Sequence, residues 1–161
     1  MIKYRKATSI DLEKIWNKDI AHHPDDQRWP TWKEQYIKYN ENQEATTFVV
    51  VDKTDPVGQL TILFAPTCKA VDGRLELANG TTIANMNAFR IDSKYRGKGH
   101  ISKLFKIAES YAKTKGIKTL TIGVEAKETK NIAIYLHFGF TKFVSACVED
   151  DELILYYSKE I

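Results

Sequence analysis

Thr81-Thr-Ile-Ala-Asn-Met-Asn-Ala-Phe-Arg-Ile91, followed after four residues by Arg96-Gly97-Lys98-Gly99-His100-Ile101, is the stretch on which the reading of the fold turns. The first half alternates, with Ile83, Asn85, Asn87, Phe89 and Ile91 on one side, which predicts a strand. Beyond the glycines, Ile101, Leu104, Phe105, Ala108, Tyr111 and Ala112 fall on a single stripe, and Gly116 supplies the stop of an amphipathic helix. Between strand and helix, two glycines let the backbone turn without Cβ obstruction, so successive amides can face one point. The free amides and the dipole of the helix N-terminus add to the same field, and Arg96, Lys98 and Lys103 bring full charges. Such a loop suits a phosphate, and a diphosphate better than an isolated one; the plain alternative is a Gly-rich loop with solvated Lys and Arg. It is neither a GxxxxGK[ST] loop nor GxGxxG, because Ser102 stands where a third glycine would fall.

Working outward, Ile2 to Ala7 reads as a first strand, and Thr8-Ser9-Ile10-Asp11 as a capping box. Leu12, Ile15, Trp16 and Ile20 give the helix that follows its apolar face, and His22-His23-Pro24 should end it. Pro30 is expected to open a second helix with Trp32, Tyr36 and Tyr39 on one side. Thr46 to Asp52 and Val57 to Phe64 are β-branched runs separated by Asp55-Pro56. Asp72-Gly73 and Asn79-Gly80 predict a hairpin excursion between Ala65 and Gly80. After the central helix come a strand over Thr119 to Val124, a short helix over Thr129 to Phe138 closed by Gly139, and two strands, Thr141 to Val148 and Glu152 to Ser158. This order predicts an α/β fold: a mixed, mostly antiparallel sheet of about seven strands with helices on both faces. A doubly wound dinucleotide fold would alternate strand and helix throughout.

A chain of 161 residues suits one domain, expected over 1–161. Lys and Arg number 24 against 21 Asp and Glu, a net charge of +3. That excess is compatible with an anionic ligand, and the scatter of basic residues beside acidic ones argues against a nucleic-acid partner. Cys68 and Cys147 have no CxxC spacing, and His22-His23 lacks the i,i+4 spacing of a helical zinc site, so no metal is expected. The N-terminal residues do not read as a signal peptide and no run approaches a membrane span, so the expectation is a cytoplasmic protein without a membrane partner.

Arg96 and Gly99 fit the signature Gln/Arg-x-x-Gly-x-Gly/Ala of the GCN5-related N-acetyltransferases, with Ile101 at the small-residue position. Further on, Glu128-Thr-Lys-Asn-Ile-Ala-Ile-Tyr135-Leu-His-Phe-Gly139-Phe140 resembles that family's second pattern, Asn-x-x-Ala-x-x-Leu-Tyr-x-x-x-Gly-Phe. Tyr135, Gly139 and Phe140 align, while Ile134, Glu128 and Asn131 differ from it. One helix and one strand separate the two motifs, and the flanking strands extend the resemblance over essentially the whole chain.

The resemblance implies the acyl-CoA N-acyltransferase fold, with acetyl-CoA as co-substrate, bound where Thr81–Ile91 and Thr119–Val124, a parallel pair, splay apart. The backbone of Phe89, Arg90 and Ile91 would meet the pantetheine arm like an added strand. The residues Arg96, Gly97, Lys98, Gly99, His100 and Ile101 would take the pyrophosphate, and Lys130 and Asn131 the far end of the cofactor. The implied reaction is direct attack of a primary amine on the thioester, with Tyr135 as general acid to the departing sulfur. A core tyrosine facing Ile132 and Leu136 is the structural alternative. A lysine-like amine has a pKa of about 10.4, so only on the order of one molecule in a thousand is neutral near pH 7.4. Candidates for removing its proton are Glu76, Glu125, His22, His23 and Asp25, and Asn85 and Asn87 could orient a water or the acceptor. The resemblance also points to Arg28, Trp29 and Trp32 for the acceptor, a small-molecule or peptide amine, and a homodimer is possible. A CoA-binding or sensory module without turnover remains open.

Overall fold

The computed structural model describes residues 1–161. In chain order the elements are β1 (Ile2–Lys6), α1 (Ser9–His22), α2 (Arg28–Glu41), β2 (Ala45–Asp52), β3 (Asp55–Leu63) and β4 (Ile83–Ile91). A 3-10 turn over Ser93–Tyr95 then leads to α3 (His100–Thr114), β5 (Thr119–Glu125), α4 (Thr129–His137), β6 (Lys142–Glu149) and β7 (Glu152–Glu160). The strands form one seven-stranded sheet in the order β1-β2-β3-β4-β5-β7-β6. Ile83–Met86 of β4 run parallel to Thr119–Ile122 of β5, while β1 with β2, β5 with β7 and β6 with β7 are antiparallel. This is the mixed α/β fold expected, with its parallel pair where the family resemblance implies it; most boundaries fall within a residue or two of those read from periodicity.

The residues group into two compact units, Met1–Ile62 with Ala88–Ala108, and Leu63–Asn87 with Glu109–Ile161. In the first unit the capping box forms: Asp11 N donates to Thr8 Oγ1 and Thr8 N to Asp11 Oδ2. Arg5 pairs with the same carboxylate. Leu12, Ile15 and Trp16 are buried, and Trp16 meets Tyr36 of α2 with ring centroids 5.0 Å apart. Helix α2 starts at Arg28, two residues before Pro30. Proline is tolerated there because first-turn amides have no intrahelical acceptor to lose. Asn40 ties the end of α2 to β2, donating to Tyr36 O and accepting from Thr47 N.

In the second unit, residues 65–80 hold no hairpin. Val71 N donates to Cys68 O and Leu77 N to Arg74 O, and Cys68, Val71, Leu77 and Ala78 are fully buried. The hydrogen bonds close turns of three or four residues, and the buried positions do not alternate, so two paired strands could not bury them together on one face. Strand β4 starts at Ile83 rather than Thr81 because the Asn79 carboxamide oxygen accepts from the amides of Thr81, Thr82 and Ile83. The β6–β7 hairpin turns on Asp150 and Asp151, both with positive φ, as tight two-residue hairpins require.

Helix α4 ends on a Schellman motif. Gly139 N donates to Leu136 O and Phe140 N to Tyr135 O, each at 3.0 Å, and Gly139 has φ +97°. The spacing Tyr-x-x-x-Gly-Phe is therefore a helix stop whose apolar ends, Tyr135 and Phe140, are both buried. Gly139→Ala should destabilise the protein by about 1–2 kcal/mol, since alanine is strained at positive φ. A lowered midpoint in urea with unchanged slope is the expected result; an unchanged midpoint would contradict the assignment.

Candidate functional site

In the first unit, the end of β4 leads through the 3-10 turn into the glycine loop. Ala88 has φ +47°, the left-handed conformation found in β-bulges, and it interrupts the strict alternation expected over Thr81–Ile91. Nothing in the sequence announces it, because alanine is not a residue that favours this region. Phe89 packs on Phe105 of α3 with centroids 5.8 Å apart. Arg90 turns its guanidinium to buried Asp19 of α1, with Nε 2.7 Å from Oδ1, and also approaches Asp92 at 3.4 Å. Ile91 O accepts from Arg96 Nε at 3.0 Å, and Tyr95 N donates to Asp92 O at 2.8 Å. These bonds define how the loop leaves the strand.

Gly97 and Gly99 have φ +73° and +81°, and a Cβ at either would meet no protein atom within 4 Å. Arg96, Gly97, Lys98 and Gly99 are all exposed. Lys103 N donates to Gly99 O, so α3 starts directly from the loop and its first-turn amides have no intrahelical acceptors. The arrangement is open, basic and rich in main-chain donors, which fits a diphosphate.

The loop rests on aromatic supports that the sequence does not reveal. Tyr95 donates to Asp52 at 2.6 Å, and Lys94 and Lys98 hold their ammonium groups 5.1 and 5.7 Å from its ring centroid. His100 is buried, with Nδ1 2.6 Å from Tyr4 Oη of β1. Burial, then Lys103 and Lys98, hold its imidazole below the ordinary value, so it is neutral at pH 7. Its side chain supports the loop from below while its backbone belongs to the helix start.

His22, His23 and Asp25 are exposed at the end of α1 and beyond. His23 stacks on Trp29 at 4.1 Å, and Trp29 lies edge-on to Trp32. Arg28 already pairs with Asp26 at 2.8 Å and sits over the Trp32 ring. The guanidinium expected to meet an acceptor thus has a carboxylate partner of its own, two residues away.

In the second unit, Tyr135 of α4 is buried, with 5% exposure. Burial, with the Glu128 charge added, raises its phenol above the ordinary value. Ile132 is half-buried and Leu136 exposed, and Lys130 and Asn131 lie in the first turn of α4, exposed and half-buried. Asn85 is buried and engaged on both sides, donating to Thr121 Oγ1 and accepting from Asn87 Nδ2, while Thr121 donates to Leu77 O. The buried asparagine therefore has partners from its own unit and acts as a polar bridge between β4 and β5. Glu125 pairs with Lys127 at 3.6 Å, and Glu76 is exposed. Arg74, unnoticed in the sequence, donates to Cys147 Sγ and Glu149 Oε1, each at 3.1 Å, and Tyr156 donates to Glu149 Oε2 at 2.5 Å. Burial and Glu149 push the Cys147 thiol up, away from thiolate chemistry.

No helix is long and apolar enough to cross a membrane. No curated protein matches the chain, but many solved structures share its fold. An N-acetyltransferase from Staphylococcus aureus Mu50 is 18% identical, covering 99% of this chain and 98% of its own, with a TM-score of 0.72. The ribosomal-protein-alanine N-acetyltransferase from Brucella melitensis is 16% identical over 99% of both chains, also at 0.72. PaiA N-acetyltransferase from Thermoplasma acidophilum, solved in complex with coenzyme A, is 17% identical over 100% and 99%, at 0.66. The profile of the acetyltransferase (GNAT) family matches residues 10–140, a span that takes in both the glycine loop and the Tyr-x-x-x-Gly-Phe helix stop. The chain belongs to the acetyltransferase (GNAT) family and is an acyltransferase.

Proposed function

We propose that residues 1–161 act as one N-acetyltransferase domain that moves the acetyl group of acetyl-CoA to a primary amine, on a small molecule or a peptide, by direct attack. The observation that carries this reading is the loop Arg96–Ile101, where two left-handed glycines with open space at their Cβ positions precede the free amides of α3. Main-chain donors with the dipole behind them bind an anion without side-chain desolvation. Arg96 and Lys98 add charge, and the backbone of Phe89, Arg90 and Ile91 receives the pantetheine arm. Lys130 and Asn131 face the cofactor's far end. The coenzyme A held by the Thermoplasma protein of the same fold supports the choice of cofactor.

In the transfer, the amine nitrogen forms the new bond to the acetyl carbon, the carbon–sulfur bond breaks, and the amine gives up a proton to water. Tyr135 donates its phenolic proton to the departing sulfur and recovers one afterwards. Burial lifts the phenol above its ordinary value of 10.0, which keeps the proton in place at neutral pH but makes its loss uphill. A free thiol has a pKa of about 8.5. The transfer is balanced only where the sulfur is as dry as the phenol, because desolvation raises the proton affinity of both anions.

Tyr135→Phe should lower kcat by about 10²–10³-fold, the range of a lost general acid, while coenzyme A affinity stays unchanged. Free-thiol release over a panel of amines measures the first and calorimetry the second; an unchanged kcat removes Tyr135 from the chemistry. Coenzyme A binding with no amine acetylated would instead favour the binding module. Gly99→Asp should weaken coenzyme A by more than about 100-fold, because it strains a residue at φ +81° and sets a negative charge against the diphosphate. Wild-type affinity in calorimetry would remove the loop assignment.

A further inference from the structure

Two consecutive residues of α1 hold Arg90 of β4 and Asp92, just beyond the strand's end, in a crossed pattern of charge. Lys18 Nζ lies 3.1 Å from Asp92 Oδ2, and Asp19 Oδ1 lies 2.7 Å from Arg90 Nε. Lys18 also reaches Asp55 at 2.9 Å and donates to Pro56 O at 2.7 Å. The first pair is conventional and part-exposed. The second is not: Asp19 is 3% exposed, and neither its Oδ2 nor Arg90 Nε makes a hydrogen bond. Close approach without hydrogen-bond geometry leaves a contact that is mainly Coulombic. Trp16 Nε1, one turn back on α1, is also buried without a partner.

We propose that Asp19 is a positioning residue for the cofactor loop, its carboxylate fixing Arg90 and through it the point where β4 gives way to the diphosphate cradle. The connection is short. Arg90 also contacts Asp92, whose N–H donates to Val57 O and whose carbonyl accepts from Tyr95 N; the residue between them, Ile91, accepts from Arg96 Nε. A shift of Arg90 is therefore passed to the first residues of the loop. This inference rests on the assignment of that loop to the coenzyme.

Asp19 makes this contact at a cost to the fold. Its carboxyl is raised from 3.8 to about 6, chiefly by burial, with Arg90 opposing. Between about pH 4 and 6 the folded state keeps a proton that the unfolded state has lost, so stability falls as pH rises through that window. The charged form, present at pH 7.5, is the one that grips Arg90, and protonation as pH falls through about 6 releases the grip. The titratable and charged groups that face Asp19 are Arg90 of β4, Asp92 just after it, His22 at the end of α1 and its cap residue His23; the ring beside His23 is uncharged Trp29 of α2.

A residue kept for stability and one kept for positioning predict opposite results for Asp19→Asn. At pH 7.5 the variant should unfold roughly 5 °C above wild type, since a neutral amide removes the buried charge. It should nevertheless bind coenzyme A about tenfold more weakly in calorimetry. Wild-type affinity should drop towards the variant's value at pH 5.5, whereas the variant's changes only by what both proteins share, including ionisation of the cofactor phosphate. Arg90→Gln should weaken coenzyme A binding as Asp19→Asn does but lower stability at pH 7.5, since it leaves the buried carboxylate without its cation, and Arg90→Lys should keep the pH step. Equal affinity of wild type and Asp19→Asn at pH 7.5, or the same pH step in both, overturns the proposal. So does a fall in both stability and affinity of Asp19→Asn, which would mark a structural residue. Should Asp19→Asn fail to fold, the role is structural and the proposal is overturned. A wild type that binds no coenzyme A at any pH removes the loop assignment and this inference together, whereas tight wild-type binding with equal variants removes this inference alone.

Discussion

An α-helix begins with amides that none of its own carbonyls can reach, and this constraint makes the start of α3 the candidate anion site of the chain. Helix α3 starts at His100, immediately after two glycines held at positive φ. Any residue with a Cβ would resist that conformation by about 1 kcal/mol or more. The turn also keeps the space beside the loop free of side-chain atoms. The donors on offer there are main-chain amides, so the proposed binding needs little from the loop's side chains beyond charge. His100 is accordingly free to point inward to Tyr4, and Tyr95 to Asp52.

The loop is held from behind by packing and by ions. Aromatic rings lie under its lysines, and the crossed pairs of Lys18 with Asp92 and Asp19 with Arg90 lock the strand that delivers it. A buried ion pair is a poor source of stability, since desolvation offsets much of the attraction. Its value lies in geometry: it allows one arrangement and penalises others. The raised carboxyl of Asp19 is the signature of that conflict between stability and placement. Burial likewise holds the phenol of Tyr135 above its ordinary value.

Periodicity and end signals made much of this legible. The stripe Ile101 to Ala112 buries Leu104, Phe105, Ala108 and Ala112 as expected, because one helical face is a local property of spacing. The Thr8 and Asp11 capping box forms for the same reason. The hairpin expected from Asp72-Gly73 and Asn79-Gly80 did not form, although Asp72, Gly73 and Gly80 have the positive φ of turn residues. The turn residues take the conformations expected of them, but Cys68, Val71 and Leu77 are buried by successive turns instead of paired strands. Arg28, which the resemblance points to for the acceptor, is held by Asp26, a pairing that its spacing in the sequence does not announce.

The sequence by itself determined the order of elements, the glycine loop ahead of an amphipathic helix and the Tyr-x-x-x-Gly-Phe stop, since each depends on residues near one another in the chain; the parallel pair was implied by the family resemblance alone. Only the tertiary structure decided that Ala88 is left-handed, that Asn85 is satisfied by Thr121 and Asn87, and that Asp19 meets Arg90. Those facts join residues far apart in sequence, or set a backbone angle against local preference. No spacing rule reports them, because the energy that settles them comes from burial and charge after the chain has folded.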